Sequence, residues 1–238
     1  MLNKILKLLK IVKSNFLIRG LLNNIPASTE HTKVLKNLGK INTIIDIGAN
    51  KGQFAIICRY VFPMSKIFSF EPLNNPAQIF MNFFKKDDNI LLIKKGISSS
   101  RRIIPFFVSN REDSSSFLPI GENQVKIFKG TEKKKEIKID AGPIVDFLDK
   151  KDLEHPVLLK LDVQGYEVEA LKGCKEILNK ISYIYVESSF VELYKNQSLV
   201  FQVINFLYKV NFQLDGVYNL QYDNEGNSIQ ADFLFKRV

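Results

Sequence analysis

Between Thr43 and Phe54 the chain reads TIIDIGANKGQF: a short apolar run that closes on Asp46, two glycines four positions apart, and at once a helix-patterned segment. Strand, tight glycine turn and helix in direct succession open a parallel α/β unit, because glycine lets the backbone turn sharply and approach a ligand where a Cβ would intrude. The amides that begin the helix carry the positive end of its dipole, so the turn is also a cradle. Gly48 and Gly52 enclose Ala49, Asn50 and Lys51, which is neither the dinucleotide spacing G-x-G-x-x-G nor the phosphate-binding Walker pattern. A pyrophosphate is therefore not the guest this turn is built for.

The alternation continues. TIIDI is a strand, GQFAIICRYVF a helix that Pro63 ends, KIFSFEP a strand, residues 76–86 a helix, and ILLIKKGIS a third strand. Over 103–140 the rhythm breaks into the β-like runs IIPFFVS, NQVKIF and KEIKID with polar loops between them, Lys133 to Lys135 reading as a solvated turn. This predicts an inserted, β-rich antiparallel element. PVLLKLDV, EVEALKGCKEILNK and SYIYVES restore strand, helix and strand, a helical pattern covers Leu199 to Lys209, and FQLDGVYN and QADFLFKRV joined by DNEGNS form a hairpin signal. The expected architecture is an α/β, mostly parallel sheet closed by an antiparallel C-terminal hairpin, with residues 41–238 as the catalytic domain and 1–40 as an N-terminal helical extension.

Charge is informative mainly by its location. Across 238 residues, 34 Lys and Arg against 25 Asp and Glu leave +9, and Lys4, Lys7, Lys10, Lys13 and Arg19 place five of those charges in residues 1–20 without an acid. Leu2, Ile5, Leu6, Leu9, Val12 and Phe16 follow helical spacing, which predicts a basic amphipathic helix, docked on the domain or in peripheral contact with an anionic inner-membrane surface. The lysines leave no apolar run near the ~20 residues of a span and no signal-peptide core, so a cytoplasmic protein is expected. Cys58 and Cys174 lack metal-ligand spacing, and His31 and His155 are the only histidines, too little material for a zinc site or a Ser-His-Asp triad. No metal is expected.

In open α/β sheets, ligands sit beyond the carboxyl ends of the strands. There the sequence offers Asp46 to Gly52, Glu71, Gly96 to Ser98, Asp162 to Gly165 and Glu187 to Ser189. A carboxylate beside the turn repels a pyrophosphate and attracts an ammonium or sulfonium group. Glu71 comes 19 residues after Gly52, near the ~20-residue offset at which an acid meets ribose hydroxyls. S-adenosylmethionine satisfies both acids better than NAD does. Asp46 and Asp162 each have a competing reading as a cap for the next helix in the chain.

The segments IIDIGANKGQF, FEP, LLKLDVQGYEVEALKG, YVESSF and QADFLF resemble, in content and order, those of the FkbM-type methyltransferases, and DSSSF at Asp113 to Phe117 is similar to the family as well. The resemblance spans Thr43 to Phe235. It implies the Rossmann-like seven-stranded sheet of class I S-adenosylmethionine-dependent enzymes, and methylation of a hydroxyl on a sugar or other small metabolite. Asp46, Gly48, Ala49, Asn50, Gly52 and Phe54 then belong to the cofactor turn, Glu71 to the ribose, Ile97 and Ser98 to the adenine wall, and Asp162 to the position facing the methyl group. The family pattern Asp-x-Glu-Gly is here Asp162-Val163-Gln164-Gly165, and a glutamine cannot take a proton.

Displacement at a sulfonium needs alignment first and a base second. Asp162, then Glu187, are the residues expected to orient or deprotonate a small-molecule or glycan hydroxyl, including a lipid-linked sugar. The alternative is an RNA-directed methyltransferase or a basic nucleic-acid-binding protein, with Phe106, Phe107 and Phe117 near Arg101, Arg102 and Arg111 to stack bases. The pattern carries no signal of oligomeric state.

Overall fold

The computed structural model describes Ile11 and residues 14–238. Most of the stretch read as a basic amphipathic helix lies outside the described residues. The segments ahead of the first strand are helical: α1 (Asn15–Leu22) and α2 (Thr32–Asn37) both pack on α3 (Gln53–Val61). No helix among the described residues is long and apolar enough to cross a membrane.

The main sheet holds β1 (Thr43–Ile47), β2 (Lys66–Phe70), β3 (Ile90–Ile93), β7 (Val157–Leu161), β8 (Tyr183–Ser189), β9 (Phe212–Tyr222) and β10 (Ser228–Arg237) in the order β3-β2-β1-β7-β8-β10-β9. The first five in that order run parallel, and β10 is antiparallel to both β8 and β9. This is the expected sheet with its terminal hairpin. Every residue of β1 and β7 is buried, as central strands covered on both faces require. One face packs under α1 to α4, the last being Asn74–Phe84, and the other under α6 (Glu167–Gly173) and α7 (Val200–Lys209). The strand order reverses between β1 and β7, and that reversal opens a crevice at their carboxyl ends.

The β-rich insertion is a second, three-stranded sheet in the order β4-β6-β5, from β4 (Gly96–Ile97), β5 (Arg102–Ser109) and β6 (Lys133–Gly142). Four local expectations are corrected. ILLIKKGIS is two strands, because Lys95 pairs with Asp140 at 2.6 Å and Gly96 and Ile97 hydrogen-bond to β6 rather than continue β3. NQVKIF is helical, as α5 (Glu122–Ile127): Ile127 and Phe128 pack together against the Leu193 and Tyr194 cluster, which an alternating strand cannot arrange. Lys133 to Lys135 open β6 instead of forming a turn, with their side chains exposed. EVEALKGCKEILNK breaks at Cys174 into α6 and a 3-10 turn, Lys175–Lys180.

Candidate active site

At the carboxyl ends of β1, β2, β7 and β8 lies a cavity of about 270 Å³. Gly48, Ala49, Asn50, Phe54, Glu71, Ile97, Asp162 and Glu187 all line it, so eight side chains or turn positions singled out from sequence share one cavity. Asp46, Gly52 and Ser98 are buried behind it. The Ser98 hydroxyl lies 3.1 Å from that of Tyr166.

The turn after β1 is held by its own backbone. The Gly48 and Ala49 amides both donate to the Phe70 carbonyl at 3.0 Å, which ties the turn to the end of β2. Gly48 and Gly52 adopt φ of +82° and +97°, and Asn50 joins them at +48°. A Cβ on Gly48 would lie 1.9 Å from the Asp162 carbonyl oxygen, and one on Gly52 would lie 2.8 Å from the Phe80 ring. The first glycine admits β7 and the second admits α4.

Glu71 stands at the end of β2, with Oε2 accepting the Asn50 amide at 2.9 Å and Oε1 the Leu73 amide at 2.8 Å. Burial pushes its carboxyl up to about 7, against the pull of those two amides. Each oxygen keeps a second lone pair for a hydroxyl donor.

Asp46 is fully buried, and it caps nothing: no side chain caps α3. Parallel register sets Asp46 of β1 beside Lys160 of β7, and the ammonium lies 3.3 Å from its carboxylate. Lys160 also reaches Asp162 at 3.4 Å and the Gly48 carbonyl at 3.3 Å. Burial works against that ammonium, but Asp46 and Asp162 outweigh it, so Lys160 holds its proton more tightly than an ordinary lysine. Burial raises the Asp46 carboxyl and Lys160 opposes the rise. Sequence reasoning missed Lys160, although a lysine inside VLLKL was a signal: a charge in a fully buried strand needs a partner.

Asp162 does not cap α6 either; its Oδ1 accepts the Gln164 amide at 2.6 Å. The same amide nitrogen lies 3.2 Å from Glu187 Oε2, and Gln164 Oε1 accepts the Tyr194 hydroxyl at 2.9 Å. Glu187 Oε1 in turn accepts Gln230 at 2.9 Å. Burial, then the neighbouring Asp162 and Asp232, push the Glu187 carboxyl well above its usual range. Gln164 thus supplies, as a neutral donor, what two crowded carboxylates need. Gln164→Glu removes that donor and adds a third acid, whose own proton affinity its neighbours raise. Such a group stabilises the fold when protonated and loses that contribution as pH rises. The variant is expected to unfold about 1–3 kcal/mol more easily at pH 8 and to approach the parent near pH 5, read from urea midpoints; a pH-independent difference would refute the bridging role.

The aromatic and arginine set considered for base stacking does not form a surface. Phe106 is buried, Phe117 packs on Phe106 at 4.8 Å and Tyr166 at 5.0 Å, Phe107 lies under Lys133, and Arg101, Arg102 and Arg111 lie beside Asp140, Glu169 and Asp113.

The family described as Methyltransferase FkbM domain matches residues 46–214. The 2-O-methyltransferase NoeI of Sinorhizobium fredii is 28% identical over 184 residues, 74% of this chain and 76% of that protein. The hexuronic acid methyltransferase AglP of Haloferax volcanii is 27% identical over 157 residues, 65% of this chain and 59% of that protein. Among solved structures, a candidate RNA methyltransferase from Pyrococcus horikoshii, PH1948, superposes with a TM-score of 0.50 at 9% identity over 88% of this chain and 83% of that one. An uncharacterized protein from Listeria monocytogenes reaches 0.52 at 10% identity, over 89% and 68%. These structural likenesses establish the Rossmann-like fold. With the domain match covering most of the sequence and the cavity built on its glycine turn, the chain belongs to the FkbM methyltransferase family, whose cofactor is S-adenosylmethionine.

Proposed function

We propose that the protein transfers a methyl group to a hydroxyl of a sugar or similar polyhydroxylated small molecule. One observation carries this reading: beside the cofactor turn, the cavity wall is a set of carboxylates and amides, Asp162, Gln164, Glu187, Asn219 and Asp232. Such side chains pair with hydroxyl groups, which both donate and accept. Two relatives are named as a 2-O-methyltransferase and a hexuronic acid methyltransferase, which supports the same substrate class.

The residues present fit S-adenosylmethionine. The Gly48 to Asn50 turn would hold its amino acid moiety, Glu71 its ribose, and Ile97 its adenine. When bound, it supplies an electrophilic methyl on a cationic sulfur. Asp162, fixed by Gln164 and Lys160, orients the acceptor hydroxyl, and Lys160 neutralises Asp46 so that the turn is not crowded by uncompensated negative charge.

Ribose hydroxyls donate to a carboxylate and so favour its ionised form. With Glu71 up to about 7 in the free protein, binding S-adenosylmethionine at pH 7 is expected to release about half a proton. Calorimetry in buffers of different ionisation heat measures it. An apparent enthalpy independent of buffer would contradict the Glu71 assignment. Transfer of labelled methyl to methyl glycosides, with the product mapped to an oxygen, tests the reaction; transfer confined to nitrogen or sulfur acceptors would overturn it.

A further inference from the structure

His31 ends a 3-10 turn ahead of α2, Tyr185 lies on β8 and Asp232 on β10; the three meet, His31 and Asp232 lining the cavity and Tyr185 buried beside them. His31 and Asp232 both fall outside the residues matched by the family, 46–214. The two histidines offered no sequence signal of a site, and only the fold brings His31 to these partners.

We propose that His31 is the general base that takes the proton of the acceptor hydroxyl, with Tyr185 and Asp232 as positioning residues that fix its tautomer. This rests on the hydroxyl-methylation reading above. His31 Nδ1 lies 3.0 Å from the Tyr185 hydroxyl and 3.5 Å from Asp232 Oδ2. Nδ1 thus faces a carboxylate and a hydroxyl oxygen, both able to accept Nδ1–H; the Asn219 amide nitrogen also lies 3.2 Å from Nδ1, but its two hydrogens have the Asp232 carboxylate and, at 3.4 Å, the Tyr185 oxygen as acceptors. Asn219 Nδ2 donates to Asp232 Oδ2 at 2.6 Å and steadies that carboxylate. With the proton on Nδ1, the lone pair is on Nε2, and no hydrogen bond engages Nε2 among the described residues. Both Glu187 oxygens, by contrast, already have amide donors nearby. The Phe54 and Tyr185 rings stand edge-on to the imidazole, each with its centroid at 5.5 Å, and hold its plane.

The step balances with the groups named. The acceptor oxygen bonds to the methyl carbon as the carbon–sulfur bond breaks and its electron pair stays on sulfur. The hydroxyl proton passes to Nε2, and Asp232 balances the imidazolium that results. Burial lowers the proton affinity of His31 below its ordinary 6.5, against Asp232, Glu30 and Asp162, which raise it, while Lys160 lowers it further. The ring is therefore neutral at pH 7, with a lone pair free to take a proton.

Imidazole nitrogen NMR reads the tautomer without any acceptor, and with two histidines in the chain a His155→Gln variant assigns the signals. A neutral His31 protonated on Nδ1 at pH 8, with that preference lost in Tyr185→Phe and Asp232→Asn, is the expected result; protonation on Nε2 would overturn the proposal. In parallel, wild type and His31→Gln are compared with labelled S-adenosylmethionine and a panel of methyl glycosides, amino sugars and thiosugars. Hydroxyl transfer is expected to fall ~10²–10⁴-fold in the variant and to lose its rise with pH, while calorimetric affinity for S-adenosylmethionine stays within about threefold, as expected of a base that adds no ground-state binding. Undiminished hydroxyl transfer would overturn the base, whereas transfer to amino sugars or thiosugars alone would instead overturn the hydroxyl reading.

Discussion

Gly48→Ala is expected to cost ~2–5 kcal/mol of folding stability and to weaken S-adenosylmethionine binding by about 100-fold or more. Two separate effects add. An L-residue held at the φ of +82° found here carries a left-handed penalty of ~1–2 kcal/mol. The added Cβ, 1.9 Å from the Asp162 carbonyl oxygen and 2.9 Å from its carbonyl carbon, meets backbone that cannot rotate away. Relief requires the end of β7 to separate from the end of β1, which moves Asp162 and strains the amides of Gly48 and Ala49 on Phe70. Gly39 is the control, because its φ of +71° is also left-handed but nothing lies within 4 Å of its Cβ position. Gly39→Ala should show the conformational penalty alone and bind normally. Urea unfolding and calorimetry on both variants make the comparison; equal behaviour would show that close strand approach at Gly48 is not what the turn depends on.

The strand-turn-helix at Thr43 to Phe54 was legible because each of its features is local: an apolar run, two glycines and a helical period. Glu71, Asp162 and Glu187 were legible for a related reason, since a parallel sheet delivers every strand end to one rim, so a polar residue closing an apolar strand has one destination. What stayed hidden depends on register between strands distant in sequence. Lys160 answers Asp46 because β7 lies against β1 with those two residues opposite, and Glu187 faces Asp232 across β8 and β10. Neither pairing can be read from either strand alone. NQVKIF misled because Val125 and Ile127 alternate as in a strand, while the packing that decides the matter, Phe128 and Ile127 on the Leu193 and Tyr194 cluster, lies far along the chain, 193 − 128 = 65 residues at the nearest. His31 gave no signal, since a histidine in a polar turn is ordinary until the fold lays it beside β8 and β10.

Lys160→Met is expected to be the most damaging single side-chain change at the site, and pH should tune the damage. The substitution keeps length and apolar bulk but leaves Asp46, fully buried and with no other hydrogen-bond partner among the described residues, without its cation. Removing one member of a buried pair costs ~3–5 kcal/mol. The carboxylate can escape by taking a proton, and from an ordinary carboxyl value of ~3.9 that costs about 4 kcal/mol at pH 7 and about 1.5 kcal/mol at pH 5. The sign is set by linkage: an acid whose folded-state proton affinity is raised contributes stability at low pH and loses it as pH climbs. Lys160→Met should therefore approach wild type in urea midpoint on going from pH 7 to pH 5. Adding Asp46→Asn removes the stranded charge, so the double variant should recover to within ~2 kcal/mol of the parent at pH 7 and lose most of that pH dependence. Asp46→Asn alone should be milder than Lys160→Met, because Asp162, at 3.4 Å, still offers the ammonium an anion. A double variant no more stable than Lys160→Met would mean that the lysine's packing and its bond to the Gly48 carbonyl, rather than the charge it neutralises, hold the turn in place.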